Sequence, residues 1–202
     1  MGELVPLSAF LPQDRAAALT TATELPETAP GSVLFSDITG FVRLTSAMAE
    51  VHGPREGAEL IAKHLNSSFE IIVAYVERYG GSVVSFSGDA ITSFFPDDDG
   101  LRALAAAVFM RDAIRQEAVI QIGAQKYPLQ VKSALSGGEV VRFIAGLPQV
   151  QRFDVMSGPA VARNAQLADR MQGDDIALDP ELGADKIRSW ASGHEEDRDG
   201  QK

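Results

Sequence analysis

The chain has 202 residues, no cysteine, a formal net charge of −10 and an isoelectric point near 4.7. That length fits one domain with tails, able to bury about 70% of its unfolded surface without covalent staples. Disulfides, thiolate metal sites and catalytic thiols are excluded, and the surplus of acid argues against a nucleic-acid partner.

No apolar run approaches the roughly 20 residues of a membrane span. Met1-Gly-Glu-Leu4 lacks the basic and apolar regions of a signal peptide. The expectation is a soluble, cytoplasmic domain with no membrane partner. Residues 1–30 read as a lead-in punctuated by Pro6, Pro12, Pro26 and Pro30, with a short helix at Asp14–Thr21. Residues 31–190 read as the domain. Residues 191–202 read as a disordered polar tail.

Within the domain, Val33–Ser36 is a buried strand and Gly40–Glu50 a short helix. A long helix follows over Pro54–Tyr79, where Ile61, Leu65, Phe69, Ile72, Val76 and Tyr79 recur at helical spacing. Pro54 suits its first turn and Gly80-Gly81 stops it. Ser82–Ser87 and Ala90–Phe95 form a hairpin around Gly88-Asp89. An alanine-rich helix spans Leu101–Ala118. Leu129–Leu135 and Glu139–Ala145 read as two strands turning at Ser136-Gly137-Gly138. Arg152–Met156 is a strand, Ala160–Met171 a helix and Ile176–Leu178 a last strand. Strands separated by helices, with hairpins between, imply an α+β fold: a ferredoxin-like, palm-like mixed sheet with helices mainly on one face.

Two aspartates stand out, each where an apolar strand meets a turn. Asp37 ends the first strand and Asp89 sits in the hairpin, 52 positions later. If those strands are neighbours, the carboxylates meet at one end of the sheet. Close carboxylates repel, and Mg²⁺ or Mn²⁺ relieves the penalty. Such hard ions accept one or two carboxylates plus substrate phosphates, and two of them can serve a phosphoryl displacement. Thr39-Gly40-Phe41 opens a helix, whose unpaired N–H groups favour an anion. Turn chemistry, with Asp37 capping that helix, is the competing reading.

Three segments carry a family resemblance. Phe35-Ser-Asp37-Ile-Thr-Gly40-Phe41 resembles the F-x-D-I-x-G-F segment of class III nucleotide cyclases. Gly80-Gly-Ser-Val-Val-Ser-Phe-Ser-Gly88-Asp89 resembles their G-G-x-x-x-K-x-x-G-D segment, and Phe153-Asp-Val-Met-Ser-Gly158 their Y-D-V-x-G segment. The match runs from about Pro30 to Pro180 and is similar in flavour to the soluble-adenylyl-cyclase-like group, as the first domain of a tandem pair. The resemblance implies formation of a 3′,5′-cyclic nucleotide and pyrophosphate from ATP or GTP, with cAMP favoured over cGMP. It implies two ions of Mg²⁺ or Mn²⁺ held by Asp37, Asp89 and the carbonyl of Ile38. It implies phosphate contacts from the backbone of Ile38, Thr39, Gly40 and Phe41. It also implies a partner, either a second cyclase domain or a second copy, because sites in this family form between two domains.

The sequence departs from the pattern in places. Ser85 stands where adenine-selecting members carry lysine. Ala162 and Gln166 replace the Asn and Arg of V-N-x-x-x-R. Arg163 and Asn164 are close in sequence, but a helix advances about 100° per residue, so they face elsewhere. The expectation is a domain that keeps the metal half of a site, weak or inactive alone. The alternative is an inactive regulatory domain that binds nucleotide or a small anion.

Other residues are read as follows. His52, His64 and His194 lack ligand spacing. Arg142 and Arg152 fall on strands and read chiefly as surface arginines, with a phosphate contact as the alternative. Phe41, Phe69, Phe86, Phe94 and Phe95 read as packing. Neither the G-G-[DE]-E-F turn of diguanylate cyclases nor the G-x-x-x-x-G-K-[ST] phosphate loop occurs.

Overall fold

The computed structural model describes residues 11–147 and 149–182. The expected tail at 191–202, with Trp190 and His194, lies outside the described residues. The order of elements is α1 (Gln13–Thr20), β1 (Thr28–Thr39), α2 (Phe41–Arg78), β2 (Ser82–Ser87), β3 (Ala90–Pro96) and α3 (Leu101–Glu117). Then follow β4 (Val119–Ile122), β5 (Gln125–Pro128), β6 (Gln130–Leu147), β7 (Gln151–Ser157), α4 (Pro159–Ala168) and β8 (Ile176–Leu178).

The main sheet runs β2-β3-β1-β6-β7, all antiparallel, with β8 added parallel to β6. It is the mixed α+β sheet that the sequence implies. Alternation along β1 divides its two faces. Leu34 and Ile38 point to the larger core, where they join Ile91, Phe95 and Leu135 with Ile72 and Val76 of α2 and Met110 and Ile114 of α3. Ala103, Ala106 and Ala107 on α3 are fully buried, and their small side chains let that helix lie close to the sheet. Val33 points the other way, to Phe94, Val140 and Ala160 under α4.

α4 is held to this second face by a polar clamp. Asn164 is buried, and its Nδ2 donates to the carbonyls of Val33 and Ala134, both at 2.9 Å. One side chain thereby ties the helix to the two central strands.

The two helices expected at 40–50 and 54–79 both form, meeting within α2 at a non-helical break at Gly53 (φ 79°), just before Pro54. Two elements differ from the sequence reading. The expected hairpin at Gly137-Gly138 is instead the middle of one 18-residue strand, β6. These glycines serve close packing: a Cβ on Gly137 would lie 2.5 Å from the Leu182 side chain. The hairpin occurs earlier, as β4–β5 around Gly123 (φ 58°), a segment left unassigned by the sequence pattern.

Replacing Asn164 with Ala leaves α4 without either bond, at the cost expected for unmet buried hydrogen bonds, about 1–3 kcal/mol. Urea unfolding should show this loss for Asn164→Ala. The exposed Ala162→Ser should stay within about 0.5 kcal/mol of the parent.

Candidate functional site

β1 is hydrogen-bonded along both edges, and its last residues define the site. Asp37 lies opposite Ala90 of β3 on one side and opposite Lys132 of β6 on the other. Asp89 occupies the β2–β3 turn, immediately before Ala90. The Ile38 N–H donates to the Asp89 carbonyl at 3.1 Å, closing the turn onto the end of β1. Gly88, with φ 66°, permits the tight reversal. The two aspartates that sequence reading singled out therefore sit together at one end of the sheet. Asp37 shares the face of Val33, away from α2 and α3, and Asp89 is exposed.

Asp37 does not cap the helix that follows. Gly40 is the N-cap of α2 and receives no side-chain cap bond. The Asp37 carboxylate instead meets Lys132, with Nζ 3.0 Å from Oδ2. Nothing in the sequence motifs pointed to Lys132; only the β1–β6 register brings it there.

The turn into α2 leaves backbone donors available. Leu44 makes the first intrahelical bond, to the Gly40 carbonyl, so the N–H groups just before it lack helical partners. Gly40 has φ 102°, and a Cβ there would lie 2.9 Å from the Pro128 carbonyl oxygen. Only glycine fits without strain. The Thr39 hydroxyl is engaged, donating to the Gly173 carbonyl at 3.3 Å.

The donor set suits a hard cation in its chemistry. It consists of two carboxylates beside backbone carbonyls, and a cationic ammonium already stands against one carboxylate. Among the described residues no cluster of three or more His, Cys, Asp or Glu forms. Any ion at Asp37 and Asp89 would thus complete its shell with water or phosphate oxygens, as Mg²⁺ commonly does.

The three positions that depart from the resembled pattern are placed as follows. Ser85 is exposed on β2, opposite Thr92. Ala162 and Gln166 lie on the exposed side of α4. Arg163 turns away to Asp179 (2.6 Å), the Gly137 carbonyl (2.6 Å) and Glu181 (3.1 Å). Its hydrogen bond with Asp179 raises its pKa above the ordinary value. Asn164 is the clamp described above. Both side chains are engaged within the fold.

No family model matches the chain. It is 24% identical over 153 residues to adenylate cyclase type 10 of Mus musculus, an alignment covering 74% of this chain and 9% of that protein. Its fold matches a bacterial light-regulated adenylyl cyclase with a TM-score of 0.66 at 20% identity, covering 85% of this chain and 50% of the other. The guanylyl cyclase Cya2 matches with a TM-score of 0.60 at 25% identity, covering 75% of each chain. The chain has the fold of class III nucleotide cyclase catalytic domains. It spans about a tenth of the length of the curated relatives it matches.

Elsewhere in the domain, one of the two strand arginines departs from its sequence reading. Arg152 is exposed, as expected. Arg142 is buried, with 5% of its surface exposed, and reaches neither solvent nor the aspartate pair. Its guanidinium forks between Asp14 of α1 and Asp154 of β7, with Nη2 2.6 Å from Asp154 Oδ2, and stacks over Phe94. Arg15 adds a second contact to Asp154 at 3.1 Å. Burial opposes the charge on Arg142, but the hydrogen bonds it donates to Asp14 and Asp154 outweigh it and raise its pKa. The signal for this network lay in Asp14, Arg15 and Asp154, whose meeting depends on β7 and α1 coming together. α1 is further fastened to β2, where the Val83 N–H donates to Gln13 Oε1 at 2.8 Å.

Phe86 also departs from expectation: it is exposed, with its ring edge-on to Phe69. A groove of about 580 Å³ opens between α2 and β4, lined in part by His64, Ile71, Tyr75, Arg78 and Glu117. It lies on the helical side of the sheet, away from the face that carries Asp37. Burial and neighbouring Lys63 lower the His64 pKa.

Removing Arg142 takes the guanidinium from Asp14 and weakens the hold on Asp154. Arg142→Met should cost about 3–5 kcal/mol, the usual result of deleting one partner of a buried charge network. Arg152→Ala should change stability by about 0.5 kcal/mol or less. Chemical denaturation of the two variants checks both values.

Proposed function

We propose that this domain supplies the metal-and-phosphate half of a composite cyclase site. The site would convert a nucleoside triphosphate to a 3′,5′-cyclic nucleotide and pyrophosphate. The observation that carries the reading is the meeting of Asp37 and Asp89 at the sheet end, beside the glycine-capped start of α2. In the reaction the 3′-oxygen forms a bond to the α-phosphorus as the bond to the β-phosphate oxygen breaks, and the 3′-hydroxyl proton is lost.

Asp37, Asp89 and the Ile38 carbonyl would hold two ions of Mg²⁺ or Mn²⁺. When bound, such ions neutralise charge on the phosphates and on the attacking and leaving oxygens. The N–H groups of Thr39, Gly40 and Phe41 would orient the β- and γ-phosphates, with the helix dipole favouring the anion. Gly40 permits the backbone to approach closely. cAMP is the proposed product because the curated relatives are adenylate cyclases. No helix among the described residues is long and apolar enough to cross a membrane, and a cytoplasmic site of action fits a chain without cysteine.

The partner would be a second cyclase domain carrying the Lys, Asn and Arg that Ser85, Ala162 and Gln166 replace here. In this reading the domain is the first of a tandem pair. Support for a partner comes from the β6–β7 arm, which exposes Phe143, Ile144, Leu147, Val150 and Phe153. An apolar group of this size is typical of an interaction surface. The same three substitutions favour a second reading, an inactive domain that binds nucleotide or a small anion and controls its neighbour.

Product formation from ATP and GTP with Mn²⁺ decides between them. The chain alone should turn over at least about 10²-fold more slowly than a mixture with a complementary domain, the scale of losing a transition-state donor. Asp37→Ala and Asp89→Ala should each abolish the activity of the mixture. Unchanged activity in Asp37→Ala would leave only the regulatory reading, and robust turnover by the chain alone would overturn the half-site.

A further inference from the structure

We infer that Lys132 is the resting counter-ion of the metal site, holding Asp37 until a divalent cation displaces it. The inference rests on the reading of Asp37 and Asp89 as metal ligands, and adds a residue that competes with the metal. Lys132 Nζ lies 3.0 Å from Asp37 Oδ2, with the two side chains 23% and 21% exposed.

The strand register fixes this meeting. Val131 is buried in the larger core, and Ser133 is buried against Ser36, with the hydroxyls 3.2 Å apart. Alternation along β6 therefore turns Lys132 to the opposite face, where Asp37 lies directly across from it. The neighbouring ion pairs join elements of the fold: Arg142 binds α1 to β7, and Arg163 binds α4 to the segment after β8. The Lys132 pair links two strands that are already joined by a full ladder. Its ammonium contributes charge at the site more than it contributes architecture.

That charge has a use when no metal is bound. Asp37 and Asp89 end neighbouring backbone segments, and their like charges repel. An ammonium on Asp37 relieves this repulsion. It sits on a flexible four-carbon stem, so it can leave. A divalent cation brings twice the charge to both carboxylates at once, and it repels the ammonium from Oδ2. Metal binding must therefore break the Lys132 pair, and the apparent affinity is lowered by what that pair is worth. Loss of the ammonium should tighten metal binding, whereas a lysine without contact to the metal ligands would leave binding unchanged.

The test uses the full chain and Mn²⁺ alone, with free Mn²⁺ read by electron paramagnetic resonance and no nucleotide present. Lys132→Met and Lys132→Gln should bind Mn²⁺ about fivefold more tightly than the parent, the scale of one partly exposed ion pair. Lys132→Arg should restore near-parental affinity. In the absence of metal, both neutral variants should melt below the parent, and Mn²⁺ should raise their melting temperatures by more. Equal or weaker Mn²⁺ binding in folded Lys132→Met and Lys132→Gln overturns the inference while leaving the metal site standing. If Asp37→Asn and Asp89→Asn do not reduce Mn²⁺ binding in either the parental or the Lys132→Met background, the metal site itself fails, and the counter-ion with it.

Discussion

The double pairing of β1 is the constraint on which the rest depends. Every residue from Gly31 to Asp37 faces a partner on β3 and another on β6. Side chains alternate between faces, so a slip by one residue would exchange them all. Leu34 and Ile38 would leave the core, and Asp37 would enter it. Burial of Leu34 and Ile38, at 0% and 1% exposure, therefore holds Asp37 on the face where it can meet Asp89 and Lys132. The hydrophobic core sets the position of the charged site through nothing more than strand parity.

The same face is divided between structural and chemical uses of polar groups. At the Asp37 end, carboxylates, an ammonium and free helix-start donors stand partly open. Towards α4 and α1, the polar groups are satisfied within the fold. Asn164 grips two strands, Arg163 closes on Asp179, and Arg142 is locked between Asp14 and Asp154. A charge held this way is costly to free, because its partner would be left buried and unpaired. Arg163 and Arg142 are therefore committed to the fold. These polar groups hold the fold together through partners of their own.

Much of the architecture was legible in the chain. β2, β3, α3, β7 and β8 lie where strand alternation, helical spacing and glycine punctuation put them, because each is short and bounded by clear breakers. Legibility failed where a breaker residue had a packing purpose instead. Gly137 and Gly138 read as a turn, but Gly137 gives Leu182 room beside an unbroken strand and Gly138 faces Arg163 and Ala160. Arg142 read as a surface residue by its type, yet two acids distant in sequence make its burial tolerable.

The sequence by itself determined the fold class, the two aspartates, the glycine that opens α2 and the three substitutions at Ser85, Ala162 and Gln166. These follow from local patterns, since motifs and periodicities are written in neighbouring residues. Only the tertiary structure decided that Lys132 stands on Asp37, that Arg163 and Asn164 are consumed by packing, and that Arg142 is a buried link between α1 and β7. Those facts depend on strand register and on contacts between residues up to 131 positions apart. No local pattern encodes such separations, because only chain reversal through the sheet brings the charges within reach of one another.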